Sequence, residues 1–253
     1  MNILAVNDDG IRAEGLYKLV KSLSRIADVY VCAPHTQRSA GSHSISIGVP
    51  ITVNEVAFDN AKLAIETSGT PADCVKFGLY LLEKKGIEID MVFSGINHGG
   101  NLGTDTLYSG TVSAAGEGCF CKKPSVAISV GSRSAKHFEL ACELAFDVCQ
   151  KGYGKFDHRT VININTPDLP KEEIKGVKIA KLGPREYEER FEQKDGGEGQ
   201  EYWYSGEPVV YEGLDDDLDV MAMQQGYAVI TPIQYDLTDY KMLEEIKKWR
   251  IDV

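Results

Sequence analysis

No stretch of this chain approaches the run of about 18 uninterrupted apolar residues that a membrane-spanning helix needs. No basic region precedes the first apolar segment either, so neither a membrane anchor nor secretion is expected. CxxC pairs are missing: Cys32, Cys74, Cys119, Cys121, Cys142 and Cys149 are otherwise spaced and mostly sit in apolar surroundings. They read as small buried hydrophobes in a reducing compartment, which points to the cytoplasm. His35, His43, His98, His137 and His158 are too scattered for a zinc motif. A GxGxxG turn after the first apolar run and a Walker A loop are both absent, which weakens a dinucleotide site and excludes a P-loop. Clusters of Lys and Arg are lacking too. The net charge is −11, yet residues 185–219 alone hold thirteen Asp or Glu against three Lys or Arg, so the rest is nearly neutral. Such a surface offers little to the phosphates of a long nucleic acid, although a single nucleotide remains open.

What is present organises around the first ten residues, MNILAVNDDG. An apolar run breaks into Asn7, Asp8, Asp9 and Gly10, and the following segment places Leu16, Leu19, Val20 and Leu23 at helical spacing. This is a strand, acidic turn, helix unit. In an open α/β sheet, ligands gather outside the carboxyl ends of the strands, where Asp8 and Asp9 would stand. The alternative is that one of them merely caps the helix.

The same alternation continues. DVYVCA (28–33) predicts a second strand, followed by the polar loop PHTQRSAGSHS. ISIGVPITVNEVAF and KLAIETS predict a hairpin-like excursion, and Thr70 with Pro71 opens a helix that Gly86 closes. IDMVFS (89–94) runs into the glycine-rich stretch GINHGGNLGTDTLYSGT. A small-residue helix follows over 111–121, then a strand at 124–131. A helix over 137–150 shows Leu140, Leu144 and Val148 on one face, and TVININ (160–165) is the next strand. This pitch predicts an α/β fold, a mainly parallel sheet covered by helices, over residues 1–170. Residues 171–253 read as an extension. VKIAKLG and 202–211 look like antiparallel strands joined by KDGGEGQE, then a helix and strand return, and an amphipathic final helix carries Leu243, Ile246 and Trp249. Tyr187, Phe191, Tyr202, Trp203, Tyr204 and Tyr211 are too many aromatics for a solvated tail, so an ordered arm is expected. The arm and last helix would either pack on a partner subunit or fold back on their own domain.

Three loops therefore end strands of one sheet: 7–10, 35–44 and 95–111. They bring two carboxylates, the hydroxyls of Ser39 and Ser42, and the carboxamides of Asn97 and Asn101. Hard oxygen donors suit Mg²⁺, Mn²⁺ or Ca²⁺, and two carboxylates on one divalent cation make a neutral cluster that accepts an anion. Ser109, Gly110 and Thr111 begin a helix whose free N–H groups would cradle a phosphate; the plainer reading is a helix cap. His35, His43 or His98 would be placed to protonate a leaving alcohol, unless each is structural.

VNDDG, RSAGSHS, SGTPADCV, SGINHGGNLG with YSGTVSAAGEG, ININTPDLP and GYAVITPIQYDLTD, in this order, resemble the SurE family of stationary-phase survival proteins. The resemblance covers nearly the whole chain. It implies a Rossmann-like core with a carboxyl-terminal extension used in subunit exchange, a homodimer or homotetramer, and a metal-dependent 5'/3'-nucleotidase acting on nucleoside monophosphates through a metal-activated water. By this resemblance Asp8, Asp9, Ser39 and Asn97 match the metal ligands, for one Mg²⁺ or Mn²⁺ per subunit. Asn101, Ser109, Gly110 and Thr111 match the phosphate pocket, with Asp8, Asp9 and Asn101 carrying catalysis. One of the two Asp residues would alternatively act as base or attack phosphorus itself. One departure is Ala40–Gly41, where many members have Gly and then another small residue, which bears on the geometry of that loop. A broader phosphomonoesterase or exopolyphosphatase would share the same core site. The reading from a different class is a non-catalytic nucleotide- or metal-binding protein.

Overall fold

The protein's structure, a computed structural model, describes residues 1–188, 190–195, 200–249 and 251. Its chain runs β1 (Asn2–Val6), α1 (Glu14–Leu23), β2 (Asp28–Pro34), β3 (Val53–Glu55), β4 (Leu63–Thr67), α2 (Pro71–Lys84), β5 (Met91–His98), α3 (Gly110–Phe120), β6 (Ser125–Val130), α4 (Glu139–Gly152) and β7 (Thr160–Thr166). There follow β8 (Val177–Ile179), β9 (Arg190–Asp195), β10 (Gln200–Ser205), α5 (Asp219–Gln224), β11 (Ala228–Gln234) and α6 (Tyr240–Lys247). Nine strands form one sheet in the order β3-β4-β2-β1-β5-β6-β7-β11-β8, while β9 and β10 pair apart from it. The middle of the sheet, β4 through β7, is parallel throughout.

Alternation along β1 explains the layers. Ile3 and Ala5 join α1 and α4 in one fully buried cluster, whereas Leu4 and Val6 face α2 and α3 in another. A strand covered on both sides has no polar face, which is why its buried part, ILAV, is continuously apolar. Each such Ile or Leu contributes roughly 1.5–3 kcal/mol by leaving water. At the start of α2, Thr70 accepts from the Asp73 N–H and Asp73 accepts from the Thr70 N–H, a reciprocal capping box with Pro71 inside the first turn. Among the described residues no helix is long and apolar enough to cross a membrane.

Several expectations change. The buried stripe of α4 is Ala141, Ala145 and Cys149, one position after the anticipated Leu140, Leu144 and Val148. Small residues let this helix lie close to the sheet, and Leu144 and Val148 pack from the side. Of the 45–58 run only β3 is a strand, antiparallel to β4, and β4 itself belongs inside the main sheet beside β2. VKIAKLG does not pair with the arm: β8 is a short edge strand parallel to β11, and β10 pairs antiparallel with β9. Residues 196–199, in the anticipated connecting segment, lie outside the described residues.

Candidate active site

The chain leaves β1 for β2 on one side of the sheet and β5 for β6 on the other, so the crossovers diverge between β1 and β5. A crevice opens there at the carboxyl ends of the two strands, the place where open α/β sheets bind ligands. Asp8 and Asp9 follow β1, and Asn97 ends β5. Neither carboxylate caps α1, whose N-cap is Ala13. The Asn7 side chain instead closes the acidic turn, donating to the Gly10 carbonyl at 2.8 Å and accepting from its N–H at 3.2 Å.

Asp8 is almost wholly buried, and Thr111 Oγ1 donates to its Oδ1 at 2.5 Å. Gly110 stands against the same carboxylate so closely that a Cβ there would come within 2.8 Å of Oδ2. Burial pushes the Asp8 carboxyl up to about 6; the Thr111 hydrogen bond opposes this and the Asp9 charge adds to it. Asp9 is half-buried, its Oδ1 accepting from Gln37 Nε2 and its Oδ2 from the His98 backbone N–H, both at 3.0 Å. Among the described residues no Lys or Arg pairs with either carboxylate. Two adjacent carboxylates held only by neutral donors leave excess negative charge at the crevice. A divalent cation would fit that arrangement only with further oxygen donors, since among the described residues His, Cys, Asp and Glu by themselves form no group of three that could hold a metal ion.

The remaining expected residues surround this pair at different depths. Ser109 is the N-cap of α3, its Oγ accepting from the Val112 N–H at 3.1 Å, so the cap reading holds for its oxygen and the Thr111 hydroxyl turns inward to Asp8. Asn101 is buried: its N–H donates to Asn165 Oδ1 at 2.7 Å, its carbonyl accepts from Asn163 and Asn165, and its Nδ2 donates to Ser129 Oγ at 2.8 Å. Asn97 Nδ2 donates to the Gly99 carbonyl at 2.7 Å. Ser39 is exposed on its loop, whose neighbouring Arg38 N–H donates to the Asp8 carbonyl at 2.7 Å. Among the described residues no hydrogen bond joins Ser39 or Asn97 to the two carboxylates. Ala40 takes the left-handed backbone that glycine adopts freely, with φ 55.

The histidine rings are committed elsewhere. His35 Nδ1 meets the Thr67 carbonyl at 2.9 Å, His43 Nε2 meets Glu117 at 2.9 Å, and the His98 ring stands edge-on to Phe138. Sequence reasoning missed Gln37, the His98 N–H and the Asn101 anchors, although two Asn at alternate positions of a buried strand (ININ) were a readable signal. It also missed the arm's root. Asp219 accepts from the Gly103 and Gly183 N–H groups, both at 2.8 Å, and Asp105 accepts from Tyr187 Oη at 2.6 Å and Arg185 Nε at 3.2 Å. These contacts fasten the arm to Gly103–Leu107, the 3₁₀ turn just before Ser109. A surface cleft of about 770 Å³ lies elsewhere, beside Lys76, Tyr80 and Lys123.

Residues 3–189 match the family model described as survival protein SurE. The chain is 44% identical over 250 residues to the 5'-nucleotidase SurE of Syntrophomonas wolfei, covering 98% of this chain and 94% of that protein. It is 40% identical to the 5'-nucleotidase SurE of Petrotoga mobilis, covering 98% and 99%. The crystal structure of a SurE protein from Aquifex aeolicus superposes with a TM-score of 0.84 at 35% identity, covering 98% of this chain and 99% of that one.

Proposed function

This chain belongs to the SurE family, and from that premise we propose that it is a 5'-nucleotidase, a phosphoric monoester hydrolase that releases phosphate from nucleoside monophosphates and depends on a divalent cation. The observation that carries the reading is the Asp8–Asp9 pair at the switch point, with Asp8 in direct contact with the first turn of α3. Asp8 and Asp9, with Ser39 and Asn97 on the adjoining loops, would hold Mg²⁺ or Mn²⁺. A divalent cation there supplies Lewis acidity toward a phosphoryl oxygen and toward an attacking water.

The chain's own groups do the rest. With the Val112 N–H taken by Ser109 Oγ, the Gly110 N–H at the opening of α3 lies at the positive end of the helix dipole and would receive a phosphoryl oxygen. Thr111 holds Asp8 in place, while Ser109 and the Asn101 carboxamide border the phosphate. The Asn163, Asn165 and Ser129 contacts keep Asn101 rigid, which suits a group that must meet charge as it develops. A cytoplasmic enzyme with a homodimer or homotetramer built through the extension completes the proposal. In support, α6 buries none of its residues, and Leu243, Ile246 and Trp249 stay exposed alongside Phe191, Tyr202 and Tyr204 of the arm.

The test is phosphate release from nucleoside 5'- and 3'-monophosphates with Mg²⁺, Mn²⁺ or EDTA, for the native chain and Asp9→Asn. Activity should require metal and fall about a hundredfold or more in the variant. Full turnover in EDTA, or an unimpaired Asp9→Asn, would refute the assignment.

A further inference from the structure

We infer that His43 is a positioning residue: held by Glu117 on α3, it clamps the loop that carries Ser39 against the site and so sets the affinity for the divalent cation. The inference rests on the proposed role of Ser39 as a ligand.

Ser39 sits in a loop that cannot hold its shape by local preference. Ala40 and Ser42 both have positive φ, 55 and 48, in a region that non-glycine residues occupy only when their surroundings enforce it. Upstream, the Arg38 N–H is fixed on Asp8. Downstream, the Ser42 N–H and hydroxyl donate to the Tyr108 and Leu107 carbonyls at 3.1 and 2.7 Å. Thr70 Oγ1 donates to the Ser44 carbonyl at 2.7 Å, and the Ser46 N–H to Asp73 at 3.0 Å. Most of these pins are neutral hydrogen bonds at exposed positions. Ser46 and His43 instead donate to carboxylates, Asp73 and Glu117, that are only 4% and 3% exposed as residues. Of the two only His43 does so through its side chain, Nε2 meeting Glu117 at 2.9 Å.

Glu117 is built to receive it. Lys76 of α2 pairs with its other oxygen at 2.7 Å, and Cys121 stands nearby. Burial raises the Glu117 carboxyl, but the hydrogen bonds from His43 and Lys76 outweigh that and hold it below the ordinary carboxylate range. The His43 ring stacks on Phe120 with centroids 5.2 Å apart and meets Tyr235 edge-on at 6.1 Å. Tyr235 reaches this spot because Gly116 has no side chain; a Cβ there would be 2.2 Å from its hydroxyl. One helix thus bears both halves of the arrangement. Its first turn touches Asp8, and six residues after Thr111 it fixes the loop that delivers Ser39.

His43→Leu keeps an apolar body between Phe120 and Tyr235, removes the donor, and leaves Glu117 its lysine. His43→Gln restores an N–H donor. Mn²⁺ is titrated calorimetrically into the full chain, with melting temperature recorded for each variant. His43→Leu should bind Mn²⁺ about tenfold more weakly at a melting temperature close to native, as expected when the support behind a ligand is lost, and His43→Gln should recover most of the loss. Native affinity in His43→Leu, or equal weakness in both variants, would overturn the inference. Should His43→Leu fail to fold, Glu117→Gln takes its place with the same expectation. Asp9→Asn separates the two claims: native Mn²⁺ affinity there refutes the metal site itself, whatever the His43 variants do.

Discussion

Gly110 and Asp8 lie in such close contact that the smallest side chain would disturb both. In Gly110→Ala the new methyl must displace the Asp8 carboxylate, which is held on its other oxygen by Thr111. Because a misplacement of about 1 Å can cost about a hundredfold in rate, turnover should fall at least tenfold, while the melting temperature drops by only a few degrees. Steady-state kinetics and a thermal melt on the same sample decide it, and a native rate would show that the carboxylate is not held where it matters. The two carboxylates were legible in the sequence because nothing in a buried apolar strand explains adjacent charges at its end. Thr111 was legible only as part of a helix start. Its partner lies 103 positions away, and no local pattern encodes such a contact. Asn165 was hidden for a similar reason: a buried Asn demands partners, but the sequence does not say that the Asn101 backbone supplies them.

At the level of elements, strands and helices with a strong period were readable and their partners were not. β8 has only three residues and sits at an edge, so its alternation suited several pairings. In α4 the larger Leu side chains suggested a buried face, yet close packing against the sheet selects Ala141, Ala145 and Cys149. The amphipathic reading of α6 has the opposite outcome: the apolar face exists, and among the described residues none of the helix is buried, with Leu243 38% and Ile246 42% exposed. Replacing both with Asp should leave the sheet intact and lower the molar mass measured by light scattering. An unchanged mass would assign that face to something other than a second copy of the chain.

For the whole molecule, the balance of perturbed carboxyls gives stability an uncommon pH profile. Asp8, raised to about 6, and Asp219, raised by burial against its backbone donors, take up protons more readily folded than unfolded. In chelator, stability should therefore rise as pH falls from about 7 toward about 4.5. Glu117 and Asp73 work the other way, since hydrogen bonds hold both below their ordinary range despite burial. Their contribution is present above roughly pH 4.5 and is lost as they protonate. Urea midpoints across this range test it, and Asp8→Asn should flatten the slope between about pH 7 and 5; an identical slope would remove Asp8 from the explanation. The parallel, helix-covered sheet was legible as a strand-and-helix rhythm, whereas its strand order, and with it the switch point, was not, because crossovers leave no mark in local sequence. The root of the arm has a further consequence. The Gly183 N–H meets Asp219, and Lys181 shares two backbone bonds with Asp217 and Asp219, so the excursion between them starts and finishes at one spot. A segment spliced in this way is free to lengthen, shorten or drift across lineages without reopening the sheet. Because the same knot grips the turn ahead of Ser109, inheritance has a place to try new recognition while the Asp8 and Asp9 carboxylates stay where they are.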